Sequence, residues 1–141
     1  MSESYETPRS PRDQIEGVLY FPRLCHKVRL HAAGRLHPQY HANLGSGMDL
    51  WTCQFFGVDY PALADRIRGG ASDEEALAWA RQNGAERSPE EFNWWTSYMR
   101  TRGFRDDLAE RLVLRKAESG FSGRADILTF MDYIDADEGR M

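Results

Sequence analysis

Two stretches, Ser72-Asp73-Glu74-Glu75 and Ser88-Pro89-Glu90-Glu91, each place a serine three residues ahead of a glutamate. That spacing lets the serine hydroxyl accept from a free amide of a first helical turn while the glutamate reaches back to the serine amide. Each stretch leads into an apolar stripe and then a glycine stop, Gly84 and Gly103, so the chain is committed to short, capped α-helices. Phe92, Trp95 and Met99 form one stripe of the second helix, with Trp94 and Tyr98 beside it. Elsewhere the punctuation repeats. Pro22 suits a first turn and Gly34 a stop, and Gly57 parts Met48–Phe56 from Tyr60–Arg68. Asp106 or Asp107 opens a helix carrying Leu108, Leu112 and Leu114 that ends near Gly120, and residues 124–136 align Ile127, Met131 and Ile134. No run shows sustained strand alternation. The pattern predicts an all-α fold, a single compact domain of six or seven short helices over residues 10–141, behind a flexible N-terminal tail of residues 1–9.

At 141 residues with 41 % apolar side chains, the chain can build a core without disulfide or metal staples. Cys25 and Cys53 lack Cys-x-x-Cys spacing and sit in apolar helical settings, where a free thiol behaves as a small hydrophobe. A net charge of −4 argues against a nucleic-acid or anionic-membrane binder, both of which need a broad basic surface. No signal core or membrane-length apolar run occurs, and the expected location is cytoplasmic. The charge is uneven: residues 9–41 hold six Arg/Lys against two acids, and residues 124–141 hold five acids against two arginines. This asymmetry suggests a small anionic ligand, or contact between the basic stretch and the acidic C-terminus.

The densest polar chemistry runs from Pro22 to Asp49 and includes all four histidines. On a helix from Pro22, Leu24, Cys25, Val28 and Ala32 face the core, while Arg23, Lys27 and His31 follow at successive i, i+4 steps as a cationic ridge. Such a ridge calls for acidic partners or a bound carboxylate or phosphate. Partly desolvated among cations, Lys27 would shift towards base or amine-nucleophile use. His26 and His31 point about 140° apart and do not share a ligand. In the following loop Tyr40, His41, Asn43 and Asp49 offer donors, acceptors and a base. Gly45-Ser46-Gly47 could form an anion nest at a helix start, or simply a capped turn. A metal set of His37, His41 and Asp49 is an alternative, weakened because Pro38 disfavours helical backbone at His37. Trp94, next to Trp95 but about 100° away around the helix, is left for a pocket wall or a dimer contact.

Taken together, Pro22-Arg23 with Lys27 and Arg29, Tyr40-His41-Ala42-Asn43-Leu44-Gly45 and Gly47-Met48-Asp49 resemble an uncharacterised bacterial family, domain of unknown function 5069. Val58-Asp59-Tyr60, Ser72-Asp73-Glu74-Glu75 with Trp79, Trp95, Gly103-Phe104-Arg105-Asp106 and the ending Ile134 to Arg140 extend the resemblance over about residues 9–140. The resemblance implies a bacterial, soluble, single-domain protein and brings no assigned reaction. It also implies an aspartate before Lys27, where this chain has His26.

The leading expectation is an enzyme of isomerase, lyase or hydrolase type that needs no cofactor and acts on a small anionic, partly apolar or aromatic molecule. Lys27, His41, Asp49 and Tyr40 would carry the chemistry, and Arg23, His26, His31, Asn43 and Trp94 would bind the substrate. The alternatives are a metal-dependent site on His37, His41 and Asp49, and a non-enzymatic interaction module, with a homodimer possible in either case.

Overall fold

The computed structural model describes residues 4–141. Seven α-helices appear among them: α1 (Phe21–Ala32), α2 (Met48–Phe56), α3 (Tyr60–Arg68), α4 (Asp73–Asn83), α5 (Pro89–Thr101), α6 (Ala109–Glu118) and α7 (Phe130–Asp137). The all-α expectation therefore holds, with one small addition. A hairpin of β1 (Gln14–Ile15) and β2 (Val18–Leu19) precedes α1, in antiparallel register Gln14 with Leu19 and Ile15 with Val18. Its turn, Glu16-Gly17, has positive φ at both residues, the geometry of the tightest hairpin connections. No described helix is long and apolar enough to cross a membrane.

Both serine capping boxes form: Ser72 and Ser88 accept from the Glu75 and Glu91 amides, and the two glutamates return the bond. A third was not anticipated. Thr129 and Asp132 cap α7, so that helix begins at Phe130 rather than near residue 124. Helix α6 also starts late, because Asp106 spends its carboxylate on the amides of Gly103 (2.8 Å) and Leu108 (2.9 Å) in a turn before it.

Helix α1 is the centre of the fold. It packs on α3 and α4 and meets β1, while α5 packs on α7 and β2, and α6 on α7. Leu24, Cys25 and Val28 are buried as the spacing predicts, although Ala32 is exposed and Leu30 buried instead. Around them close Cys53 and Phe56 of α2, Leu63, Ala64 and Ile67 of α3, Ala76, Leu77 and Ala80 of α4, Trp95 and Met99 of α5, and Met131 of α7. Phe55 stacks on Trp95 with centroids 4.7 Å apart, joining α2 to α5. Gly84 permits the close approach of the α4 end to α2: a side chain there would meet the Phe56 carbonyl oxygen at 1.8 Å.

The predicted tail is tied to the body over residues 4–9, and residues 1–3 lie outside the described residues. The Glu6 amide donates to the Arg35 carbonyl, the Arg9 amide to His26 Nδ1, and Arg140 to the Pro8 carbonyl. The basic stretch does meet the acidic C-terminus: Arg12 pairs with Asp132 and Asp135, and Arg23 with Glu138.

Candidate functional site

Because α1 is central, two members of its cationic ridge are interior. Arg23 and Lys27 are only 4 % and 5 % exposed. A charge taken out of water needs an answering charge. Lys27 Nζ finds one in Asp49 Oδ1 at 2.9 Å, and also donates to the Tyr20 hydroxyl at 2.9 Å. Tyr20 in turn donates to the same Asp49 oxygen at 2.5 Å, closing a buried triangle of amine, phenol and carboxylate. The second oxygen of Asp49 accepts from the Gly45 amide at 3.0 Å. One amide of the Gly45-Ser46-Gly47 turn is thus directed at the chain's own aspartate rather than at an outside anion.

Tyr20 was not anticipated as a site residue. It sits just before α1 with φ 73° and ψ −26°, a left-handed backbone rarely adopted by a bulky side chain. Its amide donates to the Asp13 carbonyl and its own carbonyl accepts from Leu24, so hairpin and helix together hold the strained conformation. Burial, reinforced by the Asp49 charge, pushes the phenol well above its ordinary range, so it stays protonated. Burial also lowers the Lys27 amine; Asp49 works against that shift and Arg23 adds to it.

Arg23 forms a forked pair with Glu138, Nη1 to Oε1 at 2.8 Å and Nη2 to Oε2 at 2.9 Å. Tyr40 donates to Glu138 Oε2 at 2.9 Å, and desolvation together with that carboxylate pushes its phenol up to about 12. Arg140 completes the knot, reaching Glu138 at 2.5 Å and Asp135 at 2.9 Å.

These groups border a cavity of about 620 Å³. Tyr20, Arg23, Lys27, Tyr40 and Asn43 line it, and Asp49 pairs with Lys27. Further lining residues carry no site signal in the sequence: Trp51, Tyr98, Arg102, Arg111, Arg115, Phe130 and Tyr133. Arg102 packs on Trp51 and Tyr98, whose rings meet edge-on, with its guanidinium carbon 4.8 and 4.6 Å from the ring centroids, and pairs with Asp107 at 2.7 Å and Asp106 at 3.1 Å. The only sequence signal for this wall was the Gly103-Phe104-Arg105-Asp106 motif, whose aspartate fixes Arg102.

The histidines do not join the cavity wall. In the 3₁₀ segment Pro38–Asn43, Tyr40 turns towards Glu138 while the adjacent His41 turns away, donating from Nε2 to the Leu36 carbonyl at 2.9 Å. His41 packs edge-on against His31, with centroids 4.8 Å apart. His26 accepts the Arg9 amide on Nδ1, which puts the proton on Nε2, where it donates to Glu6 at 2.9 Å. His37 caps the 3₁₀ segment by accepting the Gln39 amide. No group of three or more His, Cys, Asp or Glu among the described residues is placed to hold a metal, so the set His37, His41 and Asp49 is not assembled. Trp94 is 64 % exposed and does not line the cavity. Its neighbour Trp95 takes the core face of α5, and Tyr98 takes the cavity face.

The decisive comparison is with known protein families, where residues 5–140 match the family described as Domain of unknown function (DUF5069). The chain belongs to this family. A search among curated proteins found no match. In this DUF5069 chain the resemblance motifs meet around the cavity: Arg23 and Lys27, Tyr40 and Asn43, Asp49, and the ending that carries Glu138.

Proposed function

We propose that this chain is an enzyme that acts on a small anionic molecule with an aromatic or apolar body, using lysine or acid/base chemistry without an organic cofactor. The observation that carries the reading is the buried Lys27–Tyr20–Asp49 triangle bordering a cavity of about 620 Å³, within the usual size range for small-molecule sites. Of the five cations that line the cavity, Arg23, Lys27, Arg102 and Arg115 each have a carboxylate partner, and Arg111 makes no ion pair among the described residues, which leaves one cation for a negative ligand. Trp51, Phe130 and four tyrosines favour a partly aromatic one.

In this reading Lys27 is the base or nucleophile, Asp49 takes and returns its proton, and Tyr20 relays protons between them. Asn43, and Tyr40 once its hydroxyl turns from Glu138, donate to a substrate oxygen. Two buried free thiols support a cytoplasmic setting. Isomerase, lyase and hydrolase chemistry all fit such a set.

Thermal melting in the presence of aromatic carboxylates and their neutral amides tests the proposal. Carboxylates should raise the melting temperature of the wild type and amides should not, with the effect lost in K27M. Equal shifts for both classes, or none for either, would overturn it.

A further inference from the structure

Of the 18 basic side chains only Lys27 and Lys116 are lysines. Everywhere else positive charge is carried by arginine, which stays protonated and supplies no amine nucleophile. Lys116 has a structural duty: its Nζ donates to the carbonyls of Arg124 at 2.7 Å and Ile127 at 3.0 Å, closing the loop after α6. Lys27 instead borders the cavity with its Nζ against Asp49 and Tyr20. An ion pair alone would be better served by the forked guanidinium this chain uses at Arg23 with Glu138 and at Arg124 with Asp126. What lysine adds at this place is the ability to become a neutral amine.

We propose that Lys27 forms a Schiff base with an aromatic 2-oxo acid bound in the cavity. The inference rests on the reading of this cavity as a site for a small anionic molecule and names its substrate class and its covalent step. Arg111 borders the same cavity and makes no ion pair among the described residues, so it is the cation left to receive the carboxylate. Phe130 and Tyr133 supply flat apolar surface for the aryl group.

Asp49 Oδ1 takes one proton from the Lys27 ammonium, leaving a neutral amine whose lone pair attacks the carbonyl carbon. The new C–N bond forms as the C–O π bond breaks, and the Tyr20 hydroxyl passes a second proton from nitrogen to that oxygen, giving a carbinolamine. Asp49 then returns its proton to the carbinolamine hydroxyl, the C–O bond breaks, water leaves, and the nitrogen lone pair closes the iminium. Burial, which lowers the Lys27 amine, favours the first transfer.

The test is reductive trapping. The intact chain is incubated with phenylpyruvate and cyanoborohydride, digested and mapped by mass spectrometry, with phenyllactate, which lacks the carbonyl, as the control. Melting of the wild type with each compound is measured in parallel. The expected result is one reduced adduct on Lys27, absent with phenyllactate and absent in K27R. An adduct only on Lys116 or the terminal amine would overturn the proposal. Stabilisation by both compounds with no adduct on Lys27 would overturn the covalent step while leaving anion binding in place. Stabilisation by neither, with no adduct, would remove both readings. The wild-type peptide map decides the matter even if K27R does not fold.

Discussion

Arg23 and Glu138 stand 115 residues apart in the chain, yet they meet through a forked pair of 2.8 and 2.9 Å bonds with both side chains about 5 % exposed or less. This pair fastens the C-terminal end of the fold to its central helix beside the cavity. Breaking one side of a buried pair leaves the other as an uncompensated charge, which costs about 3–5 kcal/mol. Glu138→Ala is therefore expected to lower stability by that amount in chemical denaturation. Arg23→Ala should cost a similar amount, and the double variant much less than the sum. Additive losses would show that the two residues act independently.

The Lys27–Asp49 pair makes a prediction with a sign in pH. Asp49→Asn leaves the Lys27 ammonium beside Arg23 with no adjacent countercharge, and about 3–5 kcal/mol should be lost at neutral pH. A lysine lowered on folding binds fewer protons folded than unfolded, so its burden is full below the folded value and is relieved as pH rises towards 10.5. The gap between wild type and Asp49→Asn should therefore narrow with rising pH. A gap independent of pH would mean that Lys27 titrates no differently in the two chains.

Alkaline pH should destabilise the wild type. Burial raises Cys53 from 9.0 to about 12 and Tyr40 from 10.0 to about 12, and it raises Tyr20, Tyr60 and Cys25 as well. Each of these groups holds its proton longer in the folded state. The stability they lend is complete below the unfolded values and is lost as pH rises through the window from 9 to about 12. Lys27 acts in the opposite direction, but against five groups. Denaturation midpoints should fall across that window, and tyrosinate absorbance of the folded chain should lag behind that of the unfolded chain. Coincident titration curves would contradict this.

The same burial makes both thiols inert. Only a thiolate attacks, and Cys25 and Cys53 are both buried with raised values. Maleimide labelling at neutral pH should proceed only as fast as the chain opens and should reach both cysteines together in denaturant. Rapid labelling of the native chain at either position would be inconsistent with the packing described.

The parts of this fold legible in the sequence were those coded locally. Ser72 with Glu75 and Ser88 with Glu91 announce α4 and α5 because both partners of each capping bond lie within one turn. The α7 start was misread because its box uses Thr129 and Asp132, a weaker pattern, while Ile127 continued the helical period without being in the helix. The hairpin escaped because each strand is two residues long.

At the candidate site, residue type and spacing single out Arg23, Lys27, Tyr40 and Asn43, which line the cavity, and Asp49, which pairs with Lys27. His41 lies off the cavity wall because a 3₁₀ turn separates neighbouring side chains by about 120°, which no count of polar residues reveals. Tyr20, Arg102 and Glu138 were missed for another reason. Their roles depend on a strained φ, packing on two aromatic rings and a contact across the whole chain, all set by tertiary packing.

The cavity beside Lys27 is proposed to receive a small aromatic anion. A crystal structure of the chain grown with phenylpropionate tests it most directly. The expected result is the ligand inside the cavity, its carboxylate within hydrogen-bonding distance of Lys27 or Arg111 and its ring against Phe130 or Tyr133. A ligand bound elsewhere, or an empty cavity at a saturating concentration, would contradict it.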